Sequence, residues 1–560
     1  MKSILSKIKK MLVSPSLASL WRWSKGHRGG LMLLCLGQIT VAVLGLVFTV
    51  ATKDIIDAAV NGTMDRLRLC IVNLVIVIVL QLLVNLLIRY GNIVVSARFR
   101  QQMRKLMIGK VLGKQYSELA GVHSGELTGK LLTDTNTVSA AIVQIVPSFL
   151  FLLTQFVGAV FFLLTYSPLF VVSLIGICLV GALFVAIMGT FMKKYYKDAR
   201  EKEDKVLASV QETMQNLRII KASEIEDQSR EKIWDRQQNF VEAELKKGRL
   251  STIASTGIGT IFRFTWLYAM VWGCLSILHQ TMSYGMLTAM LQLVGQIQGP
   301  IMNLSGLVTQ LYGAVSSAER LDELLDKADE AEVDAAAAVI SGNDMYSRLQ
   351  EIRVEDLHFT YDREEILTGA SFVITPGDIV AITGHSGCGK STFFLLLMGL
   401  YKPGSGDIMF DFKGEVSGVS AGRLTRRMFS YVPQGNALFS GTIRENVAMF
   451  RKNATEEEIW HALSLACIDD FVQGLDTSLE TMLGEKGLGL SEGQAQRIAI
   501  ARAFLSDAPI LLLVEATSAL DEKTEAKLLE HVSALEGKTC LVVTHRPAAL
   551  KICNKHLNFE

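Results

Sequence analysis

The sequence predicts two dissimilar parts: a polytopic α-helical membrane domain with six spans, then an α/β domain built around a phosphate-binding loop. Three observations carry this prediction. Half of the 560 residues are hydrophobic and only 20% are charged, with a mean hydropathy of +0.32, where a soluble chain of this size carries about 25% charged residues. The apolar excess is concentrated in the first 310 positions. After residue 350, short β-rich runs alternate with helical ones around a single G-x-x-x-x-G-K-S.

Crossing a hydrocarbon core about 30 Å thick takes about 20 mostly apolar residues. Stretches 31–51, 69–88, 146–165, 169–191, 258–278 and 286–308 meet that requirement. The sixth is the most polar, carrying Gln292, Gln296, Gln298 and Pro300, as a helix lining a polar cavity would. Gln38, Gln81, Asn85 and Gln155, with Gln144 just outside a span, read as glue between helices. The first apolar run is too long, and lies too far behind polar and basic residues, for a cleaved leader. Trp21 and Trp23 among basic side chains read as an interfacial helix.

Lys and Arg set the orientation. Residues 1–30 hold seven and no acid, 89–141 hold eight, and 192–250 hold fourteen. By contrast 52–68 hold three, and the connections at 166–168 and 279–285 hold none. Both termini and both long loops are therefore expected on the cytoplasmic side of a cell membrane. The long loops keep a helical period with few breakers, so they should prolong the membrane helices. Residues 1–320 are read as the membrane domain, 321–350, including an Ala-rich acidic run, as a linker, and 351–560 as the α/β domain.

Charge and cysteine content exclude several classes. Fifty-six basic side chains nearly balance 55 acidic ones, for a net charge of +1, so there is no global case for a nucleic-acid partner. The eight cysteines show no metal-ligand spacing and no disulfide framework.

In the second part, Gly384-His385-Ser386-Gly387-Cys388-Gly389-Lys390-Ser391, followed by Thr392, lies between the apolar run 378–382 and a helical run 393–400. Glycines let backbone N–H groups turn toward phosphates, Lys390 supplies a positive charge, and Ser391 offers a hydroxyl to Mg²⁺. A chance glycine-rich turn lacks that strand-loop-helix context.

Further motifs follow in order: Phe359-Thr-Tyr361, Tyr431-Val-Pro-Gln434, Leu490-Ser-Glu-Gly-Gln494, Ile510-Leu-Leu-Leu-Val-Glu515, Ser518-Ala-Leu-Asp521 and Thr-His545-Arg. With the phosphate loop and the six spans, they resemble the ATP-binding cassette (ABC) transporters, in the exporter branch that fuses a six-helix membrane domain to its nucleotide domain. Gln211–Arg218 and Ser317–Arg320 also resemble stretches of such exporters. The resemblance implies that Tyr361 stacks on adenine and that Gly384 to Thr392 cradle the phosphates. It implies that Gln434 and Ser391 attend Mg²⁺, that Glu515 polarises the attacking water, and that His545 contacts the γ-phosphate. Two nucleotide domains pair head to tail in this family. Ser491, Gly493 and Gln494 would thus touch ATP on a second half-transporter, identical or not.

Two positions depart from the family pattern. Glu492 stands where glycine is usual, and Val514 replaces the aspartate that holds Mg²⁺ through water. Only fifteen residues follow His545, so the closing elements are expected to be short. The resemblance implies an ATP-hydrolysing translocase moving an amphiphile (a drug, lipid or peptide) out across the membrane. The alternative is an ATP-binding, poorly hydrolysing switch subunit of a heterodimer, or a hydrolysis-impaired variant. Arg263, in the fifth span, reads either as snorkelling to headgroups or as facing a substrate cavity.

Overall fold

The computed structural model describes residues 22–122, 124–331, 340–361, 364–414, 418–435, 437–484, 489–518, 520–535 and 537–559. Residues 1–21, with Trp21 of the expected interfacial helix, and positions 332–339 of the stretch read as a linker lie outside them. The rest of that stretch includes the end of a long helix, a seven-residue helix Gly342–Arg348 and the start of a strand. The chain forms two compact units. The first comprises Met1–Leu112 and His123–Asp326, the second Gly113–Val122 and Lys327–Glu560. Ten residues from the first long loop thus belong with the second unit, although they lie inside the stretch read as the membrane domain.

The first unit is built from α1 (Arg28–Asn61), α2 (Met64–Leu112), α3 (Thr135–Tyr166), α4 (Pro168–Gln215), α5 (Glu226–Leu278) and α6 (Tyr284–Leu325). The helical stretches containing the first five are long and apolar enough to cross a membrane. α6 is a continuous 42-residue helix that is not among them, and Gln292, Gln296 and Gln298 lower the apolar character of its first half. The starts of α4 and α6 follow capping chemistry. Pro168 opens α4 while the Ser167 hydroxyl accepts from Phe170 N, and the Ser283 hydroxyl accepts from Met286 N. At 49, 48 and 53 residues, α2, α4 and α5 run about 70–80 Å at 1.5 Å per residue. That is more than twice the hydrocarbon core, so the basic loops are largely prolonged helix, as their period implied.

Apolar packing and a few polar clasps hold these helices. One core gathers Leu163, Phe170, Leu174, Met290 and Leu293, and another Phe99, Met103, Met107, Val138 and Leu321. Gln296 Nε2 donates to Thr49 Oγ1 at 2.9 Å, which makes it glue between α6 and α1. Asp57 at the end of α1 accepts from Ser283 Oγ and Gly285 N, so it clasps the start of α6. A π-helical turn, Gly129–Asp134, leads into α3. There the buried Asp134 accepts from Ser317 Oγ and Arg320 Nε, both at 2.9 Å.

The second unit stacks two sheets. β1 (Leu349–Tyr361), β2 (Glu364–Ile374), β4 (Ser405–Phe412) and β5 (Val419–Ser420) form an antiparallel sheet in the order β2-β1-β4-β5. β3 (Ile379–Thr383), β6 (Phe429–Val432), β7 (Ile510–Val514), β8 (Thr539–Val543) and β9 (Lys555–Asn558) form a parallel one, β9-β3-β8-β7-β6. β7 and β8 are buried at every position, as strands covered on both faces must be. Alternation splits β7 cleanly. Ile510, Leu512 and Val514 join a cluster with Phe393 and Phe394, while Leu511 and Leu513 join one with Ile498 and Ile500. After β8 come a five-residue helix Pro547–Lys551 and the four-residue β9.

Candidate active site

The phosphate loop, Gln434, Glu515 and His545 lie just past the ends of parallel strands, the place at which open α/β sheets bind ligands. β3 runs out at Thr383, the phosphate loop follows, and α7 (Lys390–Leu397) begins at its lysine. Gly384, Gly387 and Gly389 adopt φ of +138°, +91° and +94°. Two of them are also required by space. A Cβ at Gly384 would lie 2.0 Å from the Phe559 carbonyl oxygen, and one at Gly389 would lie 2.8 Å from Leu367. Lys390 is buried and donates through Nζ to the Gly384 and His385 carbonyls, at 2.7 and 2.8 Å. His385, Ser386, Gly387 and Ser391 are exposed at the rim, and Thr392 is buried behind them. Cys388 is not the accessible thiol that a loop position suggests. It is 9% exposed, packs with the Phe393 cluster, and lies with Sγ 3.7 Å from Lys390 Nζ.

Glu515 follows β7 with φ of +48°, a strained torsion for a non-glycine residue. Its backbone is fixed from two sides. Glu515 N donates to Val543 O at 2.9 Å, and Gln496 Nε2 donates to Glu515 O at 2.8 Å. The carboxylate accepts from Gln434 Nε2 at 2.5 Å, so the structure joins two side chains 81 positions apart. Val514 is 2% exposed inside an apolar cluster and contributes no oxygen. No group of three His, Cys, Asp or Glu side chains able to hold a metal occurs among the described residues. Any Mg²⁺ here would rely on the Ser391 hydroxyl and the Gln434 amide.

His545 is exposed just past the end of β8. Its neighbour Arg546, which sequence reasoning passed over, donates to Ser518 O at 2.7 Å, Leu520 O at 3.1 Å and Glu525 Oε2 at 2.8 Å. Arg546, next to the histidine, therefore fastens the backbone at Ser518 and at Leu520. Asp521 caps α9 (Glu522–Ser533), and hydrogen bonds from Thr524 hold its carboxyl below the usual range.

Ser491, Gly493 and Gln494 open α8 (Glu492–Leu505). Ser491 Oγ accepts from Gln494 N at 3.3 Å, and Gln494 Oε1 accepts from Ser491 N at 2.8 Å, a complete capping box. Glu492 is exposed in the first turn, where a carboxylate suits the helix dipole. No hydrogen bond among the described residues joins this turn to the phosphate loop.

Tyr361 ends β1, 37% exposed. Its ring meets Phe359 and Tyr401 edge-on, with centroids 4.8 and 5.4 Å away. Burial first, then Tyr361 and Tyr116 nearby, push the Tyr401 phenol up to about 12. Nothing in the sequence pattern singles out Tyr401, because its role comes from packing between distant segments.

Arg263 is exposed on α5 and does not line an apolar cavity of the first unit. That cavity, about 500 Å³, lies between α3, α4, α5 and α6 and is almost wholly apolar. Its walls include Phe156, Leu174, Ile261, Phe262 and Met302. Gln298 is its most polar contributor and donates Nε2 to Phe262 O at 3.3 Å.

Comparison with known proteins adds relatives to this geometry. Residues 31–301 match the family described as ABC transporter transmembrane region, and residues 367–518 match ABC transporter. A multidrug resistance ABC transporter ATP-binding and permease protein of Lactococcus lactis subsp. lactis (strain IL1403) is 31% identical over 443 residues, 78% of this chain and 72% of that protein. The cyclolysin secretion/processing ATP-binding protein CyaB of Bordetella pertussis (strain Tohama I) is 31% identical over 354 residues, 62% of this chain and 48% of that protein. Among solved structures, a bacterial Atm1-family ABC exporter with ATP bound shares the fold. It aligns with a TM-score of 0.77 and 23% identity over 94% of this chain and 93% of that one.

Proposed function

The chain belongs to the ABC transporter family, and on that premise we propose that it is an exporter half-transporter that moves an amphiphilic substrate out of the cell as a dimer. It is a multi-pass membrane protein with an ATP-hydrolysing domain. The basic loops favour a cytoplasmic nucleotide domain and cytoplasmic termini. The apolar cavity favours a substrate with an apolar body, in keeping with relatives named for multidrug resistance.

The observation that carries the proposal is the Gln434–Glu515 pair at the ends of β6 and β7, in the same sheet as the strand that feeds the phosphate loop. ATP binds with its base against Tyr361 and its phosphates over Gly384 to Thr392. Lys390 exchanges the Gly384 and His385 carbonyls for phosphate oxygens. When Gln434 releases Glu515, the carboxylate orients and polarises the attacking water, and His545 donates to the γ-phosphate. The first turn of α8, through Ser491, Gly493 and Gln494, completes the site on the partner copy. Ser391 and Gln434, with the phosphates, would hold Mg²⁺, which would supply charge neutralisation.

A second reading rests on Val514. Lacking an oxygen there, the site has a poorer Mg²⁺ shell, which suits a subunit that binds ATP and hydrolyses little. One assay separates the two. Purified dimers should show vanadate-sensitive ATPase activity that Glu515→Gln lowers at least about 100-fold while ATP binding persists. Binding without turnover favours the second reading. Turnover that survives Glu515→Gln overturns both.

A further inference from the structure

The second unit contains a feature that the catalytic reading does not use. Every covalent path between the two units passes through one small clamp. Gly113–Val122 enters between α2 and the turn before α3, and the chain re-enters at Lys327, after α6. These two crossings are knitted together. Gln115 N donates to Ala328 O at 3.0 Å, and Glu330 N donates to Gly113 O at 2.9 Å. The buried Lys114 pairs with Asp329 at 2.8 Å, and Lys327 Nζ donates to Glu118 O at 2.6 Å. Glu330 is then bonded to Arg426 at 2.7 Å. The clamp also presents Tyr116, 45% exposed, whose ring stands at 90° to Tyr401 with centroids 5.7 Å apart.

Tyr401 is the centre of this aromatic group. It touches Tyr116, Phe359 and Tyr361, each in an edge-to-face arrangement. Among the described residues, the ring neighbours of Tyr361 are Phe359 and Tyr401, both edge-on. An edge-on neighbour fixes the orientation of a ring without covering a whole face, and a flat base needs that face. We propose that Tyr401 is a positioning residue for the adenine subsite and that Tyr116 holds Tyr401 in place, so that the clamp and the base-stacking ring are set by one contact chain. The proposal rests on the reading of Tyr361 as the adenine platform. It makes ATP affinity depend on a residue more than 200 positions upstream of any nucleotide contact.

The test uses the full-length dimer in lipid nanodiscs, with ATP affinity measured by a fluorescent analogue and inorganic triphosphate as a competitor lacking the base. Tyr401→Ala should weaken ATP about tenfold and Tyr116→Ala about threefold, the range an edge-to-face pair supplies. Triphosphate affinity should stay at the wild-type value in both, because the phosphate loop is untouched. Tyr116→Phe should restore wild-type ATP affinity, since the contact is made by the ring. If Tyr361→Ala binds ATP normally, the adenine reading itself is wrong. If Tyr361→Ala weakens ATP but Tyr116→Ala does not, the adenine reading stands and the contact chain is refuted. Equal losses for ATP and triphosphate would show a general loosening of the domain and would also overturn it.

Discussion

The phosphate loop and the 490–494 turn both feed a helix whose first N–H groups lack intrahelical partners, yet they are held in different ways. The phosphate loop has no side-chain cap. Glycine torsions shape it, and its own Lys390 bridges the Gly384 and His385 carbonyls. The turn before α8 is closed by the reciprocal bonds of Ser491 and Gln494, and its one charged group is the outward Glu492. On the proposed reading, the first is an anion site that carries its own cation. The second offers only neutral donors, which bind an anion well when another surface presents and partly neutralises it. On that same proposed reading, the difference lets one chain hold both halves of a composite site without closing it on itself.

The largest expected effect comes from removing the cation that separates the two turns. Lys390→Ala should weaken ATP binding about 100-fold or more, and wild-type affinity in an equilibrium binding assay would end the comparison. Val514→Asp should raise the ATPase rate several-fold and lower the Mg²⁺ concentration needed for half-maximal activity. It also places a carboxylate at a 2% exposed position, so the nucleotide-free protein should lose about 1–3 kcal/mol and recover much of it with Mg²⁺ and ATP. Glu492→Gly is the control. If only that change speeds hydrolysis, the altered signature limits turnover and Val514 does not.

Smaller effects probe the second turn itself. Ser491→Ala removes the cap and should cost about 1 kcal/mol in denaturant unfolding. It should lower ATPase activity in the dimer while leaving ATP affinity near wild type. Equal loss of affinity would mean that the turn is not supplied across a dimer. The smallest effect concerns Glu456, whose carboxyl is lowered by hydrogen bonds from Arg444 and Trp460. A depressed carboxyl contributes stability above its unfolded pKa and loses it as pH falls through the folded one. Glu456→Gln should therefore lower the unfolding midpoint slightly at neutral pH, by less than Ser491→Ala, and the gap should close on acidification.

Much of the proposed site is legible in the sequence because its parts are contiguous. Gly384 to Ser391, Gln434, Ser491 to Gln494, Glu515 and His545 each sit in a short run whose residue types dictate a local geometry. The parts that could not be read depend on packing between distant segments. Arg546 fastens Ser518 and Leu520, Gln496 fixes the backbone of Glu515, and Tyr401 carries Tyr361. Their side chains are ordinary, and only the sheet order brings their partners near. The burial of Cys388 is of the same kind, because its place in the loop does not show that it packs with the Phe393 cluster. Helix lengths were legible in the membrane half because period and charge persist through the loops. The assignment of Gly113–Val122 to the second unit was not, because Lys114 and Asp329 are 215 residues apart.

The lengths of α4 and α5 have a mechanical corollary. The two helices lie side by side, tied by Lys232 to Glu212 and by Arg236 to Lys205 O, and a six-residue helix, Leu217–Ala222, caps their far end. With about 30 Å of each in the bilayer, some 40–50 Å of paired helix projects beyond it. A paired rod of that length acts as a lever. Tilting it by only about 5° within the membrane carries its tip through roughly 4 Å, which is comparable to the length of a hydrogen bond plus a side-chain rotamer change. Small shifts around the apolar cavity thus become large ones at the tip, and the gain is set by a quantity visible in the sequence, the number of residues before the helix breaks at Asn216.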